Sequence, residues 1–181
     1  MELTDVISYI TKEVHETLEK IDPQTVEEVI NSIINAEKVF IYGVGRSGLV
    51  GQGFAVRLVQ MGLDVHFIGE MTTPIVEERD VVIIVSNTGE TMSAIQTANI
   101  VRRVGAKVIA VTSNIHSKLG QAANLIVEIS PKKDEQRKKL APLGTLFEDA
   151  AFIFFDCIVP LLMSKLDQNE TSLRRRHAIW V

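Results

Sequence analysis

The sequence contains one cysteine, Cys157, in 181 residues, so it can build neither a disulfide framework nor a cysteine-based zinc cluster. A reducing, cytoplasmic compartment is the expectation. Long apolar runs are missing too. The longest, Ala150 to Met163, carries Asp156 and Pro160 and falls short of the roughly 20 residues that cross a bilayer. Nor is there an excess of positive charge: 19 basic against 23 acidic residues give a net charge of −4, which provides no global field for a nucleic acid or an anionic membrane. Neither is expected as a partner, and any anion must be held by local geometry. The opening residues Met1-Glu2-Leu3-Thr4-Asp5 place no basic region ahead of an apolar core, so no signal peptide is expected. The motifs G-x-x-x-x-G-K-[ST] and H-E-x-x-H are absent. Gly45-Arg46-Ser47-Gly48-Leu49 has leucine where a nucleophile elbow needs glycine, which argues against an activated serine.

What is present suits one domain over residues 1–181. A chain with 46% hydrophobic and 23% charged residues can bury a core without covalent or metal staples. Leu3, Val6, Ile7, Ile10, Val14, Leu18 and Ile21 recur at spacings of three and four, marking a first amphipathic helix. Asp22-Pro23 then reads as an N-cap followed by proline at the first helical position, with Val26, Val29, Ile30, Ile33 and Ile34 on one face of a second helix. These two leading helices occupy 3–36. Five runs rich in β-branched residues follow within 38–129, at Lys38–Tyr42, Val65–Ile68, Val81–Val85, Lys107–Thr112 and Leu125–Ile129. The third and fourth are apolar at consecutive positions, as in a parallel sheet covered on both faces. Helices are expected at Ser47–Met61, Thr91–Val104 and Ser117–Ala123, and a long one at Thr145–Lys165 within a C-terminal helical region, 143–178. The fold class is therefore α/β, a three-layer doubly wound sandwich around a five-stranded parallel sheet. A flavodoxin-like order would put the switch point between the first and third strands, with ligands at the carboxyl ends of the strands. The charged stretch Lys132 to Lys139 is expected as a solvated loop or mobile lid.

Two turns carry candidate chemistry. Gly43-Val44-Gly45-Arg46-Ser47-Gly48 joins the first strand to a helix and fits G-x-G-x-x-G, with Glu70 in the place of a ribose-binding acid. Read alone, it permits a dinucleotide site or merely a tight turn with close packing. Ser86-Asn87-Thr88-Gly89-Glu90-Thr91, at the end of the third strand, is dense in hydroxyls. Such residues also cap helices with nothing bound, but four exceed what one cap needs. Hydroxyl donors and free N–H groups at a helix N-terminus can surround a phosphate monoester without a lysine. If the first and third strands are neighbours, both turns face one crevice. The binding positions are then Ser47, Ser86, Thr88 and Thr91, the backbone N–H groups of Gly45, Asn87 and Gly89, with Arg46 adding charge and Glu90 completing the turn.

GVGRSG (43–48) and SNTGET (86–91), behind two leading helices, resemble the sugar isomerase (SIS) domain family. Gly69-Glu70-Met71-Thr72-Thr73-Pro74, Pro142-Leu143-Gly144-Thr145-Leu146-Phe147-Glu148 and a C-terminal Arg-His are similar to the 6-phospho-3-hexuloisomerases within it. Asn87 makes its turn more like that of arabinose 5-phosphate isomerases. The resemblance implies a cofactor-independent isomerase without a metal, acting through an enediol on D-arabino-3-hexulose 6-phosphate and D-fructose 6-phosphate. It also implies a homodimer or homotetramer. A non-catalytic sugar-phosphate module and a nicotinamide-dependent dehydrogenase remain as other readings.

Keto-shift chemistry needs a base to carry a proton between carbons, and a carboxylate in apolar surroundings suits it. Glu148 has Ala151, Phe152 and Phe155 on its helix face, although Glu148 and Asp149 could equally complement a helix dipole. The resemblance gives Glu148 the role of proton acceptor and leaves Asp149 and Asp156 structural; Glu70 is a lesser candidate. For transfer between the substrate oxygens, histidine suits neutral pH. His15 and His66 fall in regular elements and His116 in a loop where the family pattern demands nothing. His177, after Arg174-Arg175-Arg176, is the candidate, and the resemblance suggests that it reaches the site of a neighbouring subunit.

Overall fold

The computed structural model describes residues 1–177. Two helices lead, α1 (Leu3–Leu18) and α2 (Pro23–Asn35). Asp22 separates them: its carboxylate accepts from the N–H groups of Gln24 and Thr25, and Pro23 occupies a first-turn position where its missing N–H costs nothing.

Five parallel strands follow, β1 (Val39–Gly43), β2 (Val65–Phe67), β3 (Val81–Val85), β4 (Lys107–Thr112) and β5 (Leu125–Glu128), in the order β2-β1-β3-β4-β5. This is the expected flavodoxin-like order. The crossover helices are α3 (Gly45–Gln60), α4 (Met92–Val104) and the short α5 (Lys118–Ala122). After β5 come α6 (Glu135–Leu140), α7 (Thr145–Lys165) and α8 (Glu170–Arg175). Every residue of β3 is buried. Val81, Ile83 and Val85 enter a core shared with α1, α2, α3 and α7, whereas Val82 and Ile84 enter a smaller core under α4 and α5. That division explains the unbroken apolar run in the sequence, since both faces of the strand are covered. Tyr42 is in register with Ile84 and Gly43 with Val85, so the turns after β1 and β3 leave the sheet side by side.

One expectation is corrected. The charged 132–139 segment contains α6, capped by Asp134, whose Oδ1 accepts from the N–H of Arg137 and from the Tyr9 hydroxyl. Five polar residues and a single leucine carry no apolar period, so the cap, the tether to α1 and the packing of Leu140 against the larger core fix this helix. In the C-terminal helical region Asp167, at φ +51, separates α7 from α8, which begins afresh from an Asn169 cap. Position 178 lies outside the described residues. Among the described residues no helix is long and apolar enough to cross a membrane.

Candidate functional site

The glycines of the first turn do different work. A Cβ on Gly48 would lie 2.6 Å from the carbonyl oxygen of Gly43, so these two let strand and helix touch. Gly45 has φ +59 and open space around it. It turns the chain so that α3 begins with no side-chain cap. Ser47, in the first turn of α3, is buried.

Opposite it, Ser86 leaves β3 buried and donates from Oγ to Oγ1 of Thr91 at 3.2 Å. Thr91 stands at the N-cap of α4 yet makes no side-chain cap bond. The capping explanation for these hydroxyls therefore fails at Thr91, whose oxygen is turned towards Ser86. The carbonyl of Asn87 accepts from Thr112 Oγ1 at 3.1 Å, Ser113 Oγ at 2.8 Å and Ser113 N at 3.0 Å, which anchors the turn to the neighbouring β4. Val44, Ser47, Ser86, Asn87, Thr88 and Thr91 surround a cavity of about 130 Å³ between the ends of α3 and α4. Pockets for drug-sized ligands run to roughly 300 Å³ and more, so this one suits a single small anionic group, whose charge the two helix N-termini favour.

Glu90 is not brought into this cavity. Its carboxylate accepts from the Lys118 N–H at 3.0 Å and lies 3.2 Å from Lys118 Nζ. The backbone bond first, then the ammonium, holds it below the usual carboxylate range. Gly89 has φ +66, and a Cβ there would fall 2.0 Å from Ser117 Oγ. Glycine is required at this point by closeness to α5 as well as by backbone angle.

A second cavity, about 300 Å³, is lined by Arg46, Leu49, Val50, Glu148, Asp149 and Phe152. Arg46 and Ser47 are consecutive, so the two cavities share the start of α3. Nε of Arg46 donates to Oε2 of Glu148 at 2.5 Å, and its Nη2 lies 3.9 Å from Asp149 Oδ1. Arg46 thus engages the candidate base, where the sequence reading sent it to the phosphate. Burial holds Asp149 above the ordinary carboxylate range and the charge of Glu148 pushes the same way, against the pull of Arg46. The position of a Cβ on Gly144 would be 3.0 Å from Glu148 Oε1 and 3.3 Å from Asn87 Nδ2. Asn87 and Glu148 therefore converge on Gly144, linking the hydroxyl-rich turn to the carboxylate. The sequence reading missed that role of Gly144 and the neighbourhood of Asp149; the Leu143-Gly144-Thr145 run ahead of α7 was the available signal.

The other candidates lie elsewhere. His15 pairs with Glu19 on α1. His66 Nε2 sits 2.9 Å from Asp64, its ring tilted against Phe40. His116 is exposed, its N–H given to Asn114 Oδ1. Glu70 is exposed, and its carbonyl accepts from Thr73 Oγ1. His177 follows Arg176, whose guanidinium donates to the carbonyl of Gln60 at the last residue of α3. A 16-residue helix is about 24 Å long, so within one chain His177 lies by the end of α3 remote from Ser47. Among the described residues no His/Cys/Asp/Glu group could hold a metal ion.

A family model described as the SIS domain matches residues 32–148, well over half of the chain. A 3-hexulose-6-phosphate isomerase of Bacillus subtilis is 35% identical over 182 residues, covering 98% of each chain. A crystal structure of a hypothetical protein from Methanococcus jannaschii, whose description infers 3-hexulose-6-phosphate isomerase function, superimposes with a TM-score of 0.86. It has 31% identity, and all of both chains is covered. An arabinose 5-phosphate isomerase of Salmonella typhimurium is 28% identical over 81% of this chain and 47% of its own.

Proposed function

The chain belongs to the SIS domain family, and on that premise we propose that it is a sugar-phosphate isomerase interconverting D-arabino-3-hexulose 6-phosphate and D-fructose 6-phosphate. One observation carries the reading: a hydroxyl-lined cavity of about 130 Å³, sized for a phosphate, adjoins the nearly buried carboxylate of Glu148. The likeness to the hexulose-phosphate isomerase of Bacillus subtilis along the whole chain supports it.

The phosphate sits among Ser47, Ser86, Thr88 and Thr91, with backbone N–H groups of Gly45, Asn87 and Gly89 assisting and the ends of α3 and α4 supplying positive potential. The sugar extends past Asn87 to Glu148. There the carboxylate takes the proton from the carbon beside the carbonyl, an enediol forms, and the carboxylic acid, its proton exchangeable with solvent, protonates the neighbouring carbon. Arg46 fixes the carboxylate and offers charge to the developing oxyanion. Proton transfer between the two oxygens falls to His177 of a neighbouring subunit, because the same chain holds it by the far end of α3. Self-association would cover the exposed apolar side chains Leu49 and Val56 of α3 and Phe152 and Ile153 of α7.

Proton NMR in D₂O with fructose 6-phosphate tests the reading. Deuterium is expected at C3, with appearance of the 3-keto isomer. Unchanged fructose 6-phosphate under ample enzyme removes the assignment. The Asn87-Thr88 pair and the likeness to the Salmonella enzyme favour arabinose 5-phosphate as the second reading, which predicts exchange at C1 of ribulose 5-phosphate instead. A binding module without catalysis predicts saturable binding and no exchange with either sugar.

A further inference from the structure

Between α6 and α7 the chain runs Ala141-Pro142-Leu143-Gly144, and three consecutive carbonyls there are each held by a donor. That of Pro142 accepts from Thr145 Oγ1 at 2.7 Å, that of Leu143 from Arg137 Nη1 at 3.3 Å, and that of Gly144 from the Glu148 N–H at 2.9 Å. Leu143 has φ +57, and the residue is 91% exposed. An L-residue without a local polar side chain is strained in that region, and burial of the leucine offsets nothing. The strain is held by the surroundings.

Those surroundings form a continuous path. The Tyr9 hydroxyl on α1 donates to Asp134 Oδ1 at 2.9 Å. The same oxygen accepts the Arg137 N–H at 2.8 Å, which fixes the start of α6. Burial, then the bond to Asp134, pushes the Tyr9 phenol up to about 12, so it stays a donor at neutral pH. Arg137 then reaches along α6 to the Leu143 carbonyl, with its Nε buried and unpaired among the described residues. Fully buried Ala141 pins the segment from below. The path ends at Gly144, against Glu148 Oε1 and Asn87 Nδ2.

We propose that Arg137 and left-handed Leu143 are positioning residues that set where Glu148 stands. They act through the backbone of Gly144, which forms a wall of the site, and do not touch the substrate. A turn of the Leu143 peptide would move that wall, and with it the carboxylate and the Asn87 amide. The inference rests on the reading of Glu148 as the base.

Four variants and two readouts test it. Glycine accepts a positive φ and valine resists it, so Leu143→Gly is expected to keep kcat within about twofold, and Leu143→Val to lose about tenfold or more at nearly constant KM. Arg137→Met is expected to behave like Leu143→Val, and Arg137→Lys to recover part of the loss because an ammonium can still donate to the carbonyl. The second readout is independent of turnover: the carboxyl carbon resonance of Glu148, identified by its disappearance in Glu148→Gln, should move in Leu143→Val and Arg137→Met and stay in place in Leu143→Gly. Equal losses in the glycine and valine variants would show that the leucine side chain matters and not its backbone, overturning the proposal. Parallel changes in kcat and KM, or an unmoved resonance, would overturn it as well. If Leu143→Val fails to fold, the two Arg137 variants decide. If the wild-type protein exchanges no deuterium, the isomerase reading fails while the resonance still decides the positioning.

Discussion

Nε of Arg46 donates to Oε2 of Glu148 over 2.5 Å, joining side chains 102 positions apart in sequence. The Arg46 side chain is 62% exposed and that of Glu148 11%, so a cation facing water holds an anion facing protein. Removing either partner has unequal cost. Arg46→Met leaves an enclosed charge and is expected to lower the unfolding free energy by about 1 kcal/mol, a buried-pair cost discounted for the exposure of the guanidinium. Glu148→Gln should cost less, and the double variant should recover part of the Arg46→Met loss. Chemical denaturation of the four proteins measures the coupling; strictly additive changes would show the two residues to be independent.

Gly144 has φ −91, a conformation open to alanine. A methyl there would nonetheless meet Glu148 Oε1 at 3.0 Å and Asn87 Nδ2 at 3.3 Å. Gly144→Ala should therefore melt close to wild type and lose about tenfold or more in turnover, since displacements of an ångström at reacting groups cost on that order. Unaltered turnover in the deuterium-exchange assay would remove Gly144 from the site wall.

Gly45 and Gly89 both have positive φ but differ in what surrounds them. Nothing lies within 4 Å of a Cβ at Gly45, whereas one at Gly89 would strike the buried Ser117, whose Oγ caps α5 through the Gly120 N–H. Gly45→Ala should cost about 1 kcal/mol of backbone strain. Gly89→Ala should cost about 2–3 kcal/mol and abolish thermal stabilisation by inorganic phosphate. Melting curves with and without phosphate separate the two; equal losses would mean that crowding by Ser117 is irrelevant.

Burial raises Asp149 in the folded protein, so its sign is the reverse of a salt-bridged carboxylate. Between the ordinary carboxylate range and the raised folded value, the folded state holds more protons than the unfolded one, and stability falls as pH rises through that window. Above it the penalty is complete. Asp149→Asn is expected to melt higher than wild type at pH 7, with the gain shrinking to nothing below the ordinary carboxylate range. A gain that persists at acid pH, or a loss at pH 7, would contradict the direction assigned to Asp149.

Much of this molecule was legible in its sequence because the signals are local. The unbroken apolar run at Val81–Val85 announces a strand covered on both faces, Asp22-Pro23 marks a helix start, and the glycine and hydroxyl turns at 43–48 and 86–91 mark where strands give way to helices. Periodicity and turn chemistry act over a few residues, and parallel crossovers leave few ways to order five strands. The short helix α6 escaped that reading because five polar residues followed by one leucine have no apolar period, and a Tyr9 contact 125 positions away helps fix it.

By itself the sequence determined the layers, the strand order and the two turns that stand over the crevice. Only the tertiary structure decided the partners: Arg46 turns to Glu148, Glu90 turns away to Lys118, Asn87 and Glu148 meet at Gly144, and the approach to His177 runs along the far end of α3. The physical reason is range. Hydrophobic pattern fixes which face of an element is buried, whereas the pairing of charges and the close approach of backbones depend on how distant elements rotate and pack against one another.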